Sequence, residues 1–315
     1  MIQADSGSPS CRTGAASSDC HGAREVDRDA ARAMLAAMLD RASAADELDA
    51  LFRAYRTRGE DVAEMAGFVD ALQQRIVHFD PPADRSRPIV LATYGGVRRQ
   101  PNLTALLALL LRRYGVPVLL HGTAETEKLF GRVTTAAILW ELGIEAARSA
   151  ADAQQALVSE GVAYVSIEVL APGFNALLAP HAKADPDAQM LIKLVDPFGG
   201  GGVRVVCATR PEHLPRMRSF LSATSADALL LRGTEGEPFA DPRRQPELEW
   251  FDRGVGSVLF DAESASRSAS LPRGVDAAAT AAWIAAALSG ETPIPQPMLN
   301  QLAGCLHATR LATLG

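Results

Sequence analysis

With 315 residues, 48% of them hydrophobic, and a formal net charge of −6, the chain can form one large or two modest globular domains. The acidic balance counts mildly against nucleic acid as a partner, although a local basic groove matters more than the total. No apolar run reaches the roughly 18 residues of a membrane span, and the N-terminus lacks the apolar stretch of a signal peptide.

Cys11, Cys20, Cys207 and Cys305 form no CxxC pair and no metal-ligand spacing. The expectation is a cytoplasmic protein with reduced thiols, no metal and no membrane partner. Residues 1–24 are rich in Ser, Gly and Ala without periodicity and read as a disordered tail. Residues 25–80 read as a small helical domain. Its first helix carries Met34, Leu35, Met38 and Leu39 on one face, and its second has Leu48, Leu51, Phe52 and Tyr55 at helical spacing. Gly59 is a natural C-cap. Glu60 and Asp61 fall in the first turn of a third helix, where the macrodipole favours them. That helix buries Val62, Met65, Val69, Leu72 and Ile76. "DPPADRSRP", Asp80 to Pro88, is a linker.

From residue 86 to 315 strand and helix alternate. "PIVLATY", "VPVLLHG", "VAYVSIEVL", "MLIKLV", "VRVVCAT" and "DALLLRG" read as short strands, apolar on both faces, as in a buried and mostly parallel sheet. The fold class is α/β with a small helical N-terminal domain. "DAAATAAWIAAALSG" and "QPMLNQLAGCLHATRLA" close the chain as helices. Trp140, Trp250 and Trp283 read as core or interface residues. "DPFGGGGVRV", with Gly199 to Gly202, lacks the spacing of a P-loop or a dinucleotide loop and reads as a strand connection.

"TYGGVRRQPNLT" is the segment that carries chemistry. A strand runs into Gly95-Gly96 and then into an apolar helix, the layout of a phosphate-binding loop. It reads equally as a strand-to-helix turn that needs positive φ. Arg98 and Arg99 follow, where a small-molecule site usually places small or acidic residues.

The order of these blocks resembles the anthranilate phosphoribosyltransferase family, across about residues 27–312. "LFRAYRTRGEDVAEMAGFVDAL" is similar to its N-terminal helices, and "TYGGVRRQPNLT" stands at its GTGGD loop and Asn-x-Ser-Thr element. "VPVLLHGTAE" stands at its Lys-His-Gly-Asn element, and "VTTAAILWELGI" is similar to its next helix. "LLLRGTEGEPFADPRRQPELEWF" and "GRVTTAAIL" resemble a divergent branch, the TrpD-like DNA-binding proteins of the YbiB type.

The resemblance implies a vestigial diphosphate site at Gly95, Gly96, Asn102, Thr104, His121 and Gly122. Val97, Leu120 and Thr123 replace the family's loop Asp, Lys and Asn. Pro238 and Phe239 stand where it holds magnesium with an Asp-Glu pair, and hard cations need oxygen ligands. Ala182 and Lys183 stand near its anthranilate-site arginines. Glu235 and Glu237 remain nearby but would need a different loop path to replace that pair.

The expectation is therefore no catalytic residues and no cofactor, with nucleic acid, DNA above all, held without sequence preference. Arg98, Arg99, Lys128, Arg132, Lys193, Arg232, Arg243 and Arg244 would form a basic rim at the strand ends. The resemblance also implies a homodimer through the N-terminal helices, with a segment near 170–187 packing on the helical domain. The alternative is a glycosyl or phosphoribosyl transferase of unknown acceptor, which would use Mg2+.

Overall fold

Short runs of β-branched and aliphatic residues, apolar at nearly every position, suit strands buried on both faces, and five such runs form the parallel part of the sheet. A computed structural model describes residues 26–41, 45–59, 61–123, 131–178, 186–265 and 268–310. The parallel strands are β1 (Ile89–Thr93), β2 (Val118–Gly122), β3 (Val162–Ser166), β4 (Val203–Ala208) and β5 (Ala228–Arg232). A hairpin of β6 (Leu248–Asp252) and β7 (Val255–Phe260) extends the sheet antiparallel. The order is β3-β2-β1-β4-β5-β6-β7. The chain winds outward from β1 in both directions, so β1 and β4 flank the switch point. Ligands of open α/β sheets gather there, beyond the strands' C-terminal ends.

Alternation along the strands divides the interior into two layers. Val90, Ala92, Leu119, Val165 and Val206 face a core shared with helices α1 (Arg28–Leu39), α2 (Ala45–Arg58) and α3 (Val62–Gln73). Ile89, Leu91, Val118, Leu120 and Val205 face a second core. That core is closed by α4 (Thr104–Arg113), α5 (Thr135–Glu141), α11 (Ala277–Ser289) and α12 (Gln296–Arg310). In α4, Leu106, Leu107, Leu110 and Leu111 are all buried, each contributing on the order of 2 kcal/mol by area burial.

The second helix buries Leu48, Leu51, Phe52 and Tyr55, as its spacing predicts. Asp61 caps α3 rather than sitting inside its first turn: its carboxylate accepts from the N–H groups of Ala63 and Glu64. On α1, Ala31, Leu35 and Met38 point inward and Met34 lies outside.

Two strand assignments are corrected. "MLIKLV" does not enter the sheet. Residues Pro186–Ile192 form helix α9, begun by a proline that suits a first helical turn, and its Leu191 and Ile192 pack in the same core as α3. The run from Val162 leaves the sheet at Ser166 and coils into α7 (Ile167–Leu170). Strands β6 and β7 are unforeseen. Arg253 and Gly254, at φ 46° and 83°, turn between them as hairpin turns require. Helix α6 (Ala150–Ser159) flanks β3, and α8 (Pro172–Leu178) contacts α1 and α2. Helix α10 (Leu214–Ala223) packs on α3. No helix among the described residues is long and apolar enough to cross a membrane.

Candidate functional site

The loop after β1 sits at the switch point, and its backbone N–H groups converge as in an anion-binding nest. The nest is filled from within the chain. Glu237 is fully buried and accepts from the N–H groups of Gly95 and Gly96, both at 2.9 Å. The Thr93 hydroxyl also donates to it, and the Thr135 hydroxyl reaches it at 3.3 Å. Glu235 accepts from the N–H of Arg99 at 2.8 Å and from that of Arg98 at 3.2 Å. Gly96 has φ 60°, and a Cβ there would meet the Val133 carbonyl at 2.8 Å; Gly95 has neither constraint.

Both carboxylates come from one tight turn after β5. Thr234 and Glu237 exchange backbone hydrogen bonds at 3.0 and 3.1 Å. Between them Glu235 and Gly236 both have positive φ, 52° and 91°, the signs of a type I′ turn. The turn is held down by Lys193, whose Nζ donates to the Gly236 carbonyl at 2.9 Å. Arg132 ties the two segments together. Its guanidinium donates to the carbonyls of Gly95, Gly96 and Glu235 and lies 3.5 Å from the Glu235 carboxylate.

Arg132 and Lys193 therefore do not project as a free basic rim; each is spent on backbone carbonyls of the loops. Arg98, Arg99, Arg232, Arg243 and Arg244 are exposed at the strands' C-terminal side. Lys128 lies outside the described residues, as do Ala182 and Lys183. Arg210, which follows β4 directly after "VRVVCAT" at the switch point, is exposed as well, and no motif in the sequence marks it.

The remaining positions of the resemblance form the floor of the site. Asn102 is buried; its amide donates to the Thr135 hydroxyl at 3.1 Å and its oxygen accepts from the Thr104 N–H. The start of α4 thus has an internal partner for one of the N–H groups that a free helix end leaves open. Gly122 is required by packing, since a Cβ would overlap the Thr93 carbonyl at 1.8 Å. His121 is fully buried, its Nδ1 2.9 Å from the Tyr94 hydroxyl and its Nε2 without a partner among the described residues. Burial, and secondarily the Lys193 charge, lowers its pKa to about 3. It is a neutral imidazole at neutral pH and no phosphate-binding cation.

The resemblance implies a magnesium pair at Pro238 and Phe239, and the residues there do not fit one. Phe239 is fully enclosed in the second core, and the Pro238 carbonyl accepts from Gln301. Both oxygens of Glu237 are already engaged by loop donors. No cluster of three His, Cys, Asp or Glu able to hold a metal occurs among the described residues. Of the tryptophans, Trp250 and Trp283 are buried, while Trp140 is 57% exposed on α5 and belongs to neither core.

A parallel sheet wound outward from β1, a helical layer built from the N-terminus and a glycine loop at the switch point define the anthranilate phosphoribosyltransferase-like scaffold. The *Thermus thermophilus* anthranilate phosphoribosyltransferase structure matches it with a TM-score of 0.71 at 21% identity, over 92% of this chain and 86% of that one. The *Saccharomyces cerevisiae* enzyme, solved in complex with PRPP and Mg, matches with a TM-score of 0.65 at 11% identity, over 90% and 85%. No protein-family model matches the chain. In sequence, the chain is 37% identical over 290 residues to the uncharacterized protein YbiB of *Escherichia coli* K12, covering 91% of this chain and 90% of that one. Anthranilate phosphoribosyltransferase of *Halobacterium salinarum* is 26% identical over 222 residues, 69% of this chain and 63% of that one. The chain belongs to the TrpD-like family that includes YbiB.

Proposed function

We propose that the protein binds nucleic acid, DNA above all, along the exposed arginines at the C-terminal rim of the sheet, with little sequence preference. One observation carries the reading: the chain's own carboxylates occupy the nest that would hold a small diphosphate, while Arg98 and Arg99 on the same loop stay exposed. Guanidinium groups on a rim contact phosphate backbones and release counterions without reading bases. Arg232, Arg243, Arg244 and Arg210 extend the track. A homodimer through the N-terminal helices would align two such tracks about one axis. No cofactor is needed. Pro238 and Phe239 at the metal-pair positions, with Leu120 and Val97 at the lysine and aspartate positions, weigh against turnover of a phosphoribosyl donor.

Changing Arg98 and Arg99 together to alanine tests this. DNA affinity should fall about equally across sequences, and the slope of log affinity against log salt should become shallower by roughly one to two units. An unchanged slope in a folded double variant, or no wild-type binding at low salt, overturns it.

A second reading has one observation in its favour. Gly95, Gly96, Asn102, Thr104, His121 and Gly122 cluster at the ends of β1 and β2 and the start of α4. A glycosyl or phosphoribosyl transferase of unknown acceptor, using Mg2+, would place its donor there. Consumption of phosphoribosyl diphosphate with magnesium by the purified protein would favour it.

A further inference from the structure

The two carboxylates in the glycine-loop nest are not equivalent. Glu237 is sealed at 0% exposure between two backbone N–H groups and two threonine hydroxyls. Glu235 sits at the mouth with its side chain 18% exposed. Its partners there are the N–H groups of Arg98 and Arg99, whose own side chains are exposed, and the Arg132 guanidinium. Two N–H groups and a guanidinium around one anion would equally suit the oxygens of a phosphate group.

We propose that Glu235 is a built-in latch, its carboxylate standing in for a phosphate group on the Arg98 and Arg99 N–H groups beside Arg132. Rotation of this one side chain toward solvent uncovers an anion site for a single phosphate group, while Glu237 keeps the deeper half of the nest closed. The deep site for a full diphosphate is thereby denied, and the outer site accepts only a phosphate able to displace a tethered carboxylate. A tethered group competes at an effective concentration on the order of millimolar. A free phosphate anion must reach a comparable concentration to displace it. A phosphate already held nearby by the Arg98 and Arg99 side chains competes on better terms. The latch does not depend on the nucleic-acid reading, since a small phosphate anion would meet the same gate.

The test is calorimetric titration of the full-length wild type, Glu235→Ala and Glu235→Gln with inorganic pyrophosphate, one phosphate of which suits the outer site while the other stays in solvent, without magnesium or nucleic acid. The alanine variant should bind pyrophosphate at least about tenfold more tightly than wild type, because the tethered competitor is gone. The glutamine variant, which keeps the shape and loses the charge, should fall between them and remains informative if the alanine variant does not fold. A short single-stranded oligonucleotide titrated in parallel separates the sources. A gain for both probes supports a latch opened by polymer phosphate, and a gain for pyrophosphate alone supports one opened by a small anion. Folded variants that bind neither probe better than wild type overturn the proposal, as does tight pyrophosphate binding by wild type. Failure of the arginine double variant to change DNA binding would sink the rim and leave this result standing.

Discussion

Two glycine loops in this protein place their N–H groups around carboxylates, and they obtain the anion in opposite ways. The loop at 198–202 wraps around its own Asp196, which accepts from the N–H groups of Phe198, Gly200 and Gly202. Arg87 secures it by donating to the carbonyls of Gly200, Gly201 and Gly202 while pairing with Asp227 at 2.6 Å. The loop at 95–99 has no local carboxylate. Its anions arrive from Glu235 and Glu237, and Arg132 plays the part of Arg87. A loop that carries its own anion is a finished structural turn. A loop that borrows one, as 95–99 does, can be opened by moving the lender.

The largest expected difference lies in stability. Glu237→Ala should cost about 3 kcal/mol or more, read from urea midpoints, because enclosed N–H and hydroxyl groups lose their acceptor where water has no free entry. Asp196→Ala should cost less, about 1–2 kcal/mol, since one of its three donors, Gly200, is exposed and water can enter there to replace the carboxylate. Equal costs, or a larger one at Asp196, would break the contrast between a borrowed anion and a local one.

A pH scan sharpens it by a smaller amount. His121, in the floor beside the borrowed loop, is held at a pKa of about 3 by burial and then by the Lys193 charge, with the Tyr94 hydroxyl as its partner. Unfolded, it titrates near 6.5, so the unfolded chain binds the extra proton first. Its contribution is full above about pH 6.5 and is lost progressively as pH falls toward 3. Carboxylates dominate below about pH 5, so the urea midpoint between about pH 6.5 and 5 is the window to measure. His121→Gln should flatten that part of the curve, and an unchanged slope would show that the imidazole is not buried neutral.

Much of the scaffold was legible because it rests on local pattern. Helix α2 could be read from Leu48, Leu51, Phe52 and Tyr55, and the parallel strands from short runs apolar on both faces. The glycine loop was legible at a strand end because "PIVLATY" runs directly into Gly95-Gly96. The errors came where one pattern suits two structures. Met190 to Val195 is as apolar as a strand, but its first half, Met190 to Ile192, ends the helix that begins at Pro186 and packs on the facing helix layer. The hairpin after Leu248 was hidden because only the DRG at its turn announced it.

By itself the sequence determined most of the helices, the five parallel strands and the position of the loop, since hydrophobic periodicity and glycine are properties of neighbouring residues; the order of the strands was left to the tertiary structure. It also placed Arg98, Arg99, Arg232, Arg243 and Arg244 on the outside, where arginine usually belongs. Only the tertiary structure decided that Arg132 and Lys193 turn inward and that Glu235 and Glu237 fill the nest. Those contacts join segments up to 142 residues apart through backbone carbonyls and N–H groups. Such groups are the same at every position, so no residue type marks in advance which of them a distant side chain will find.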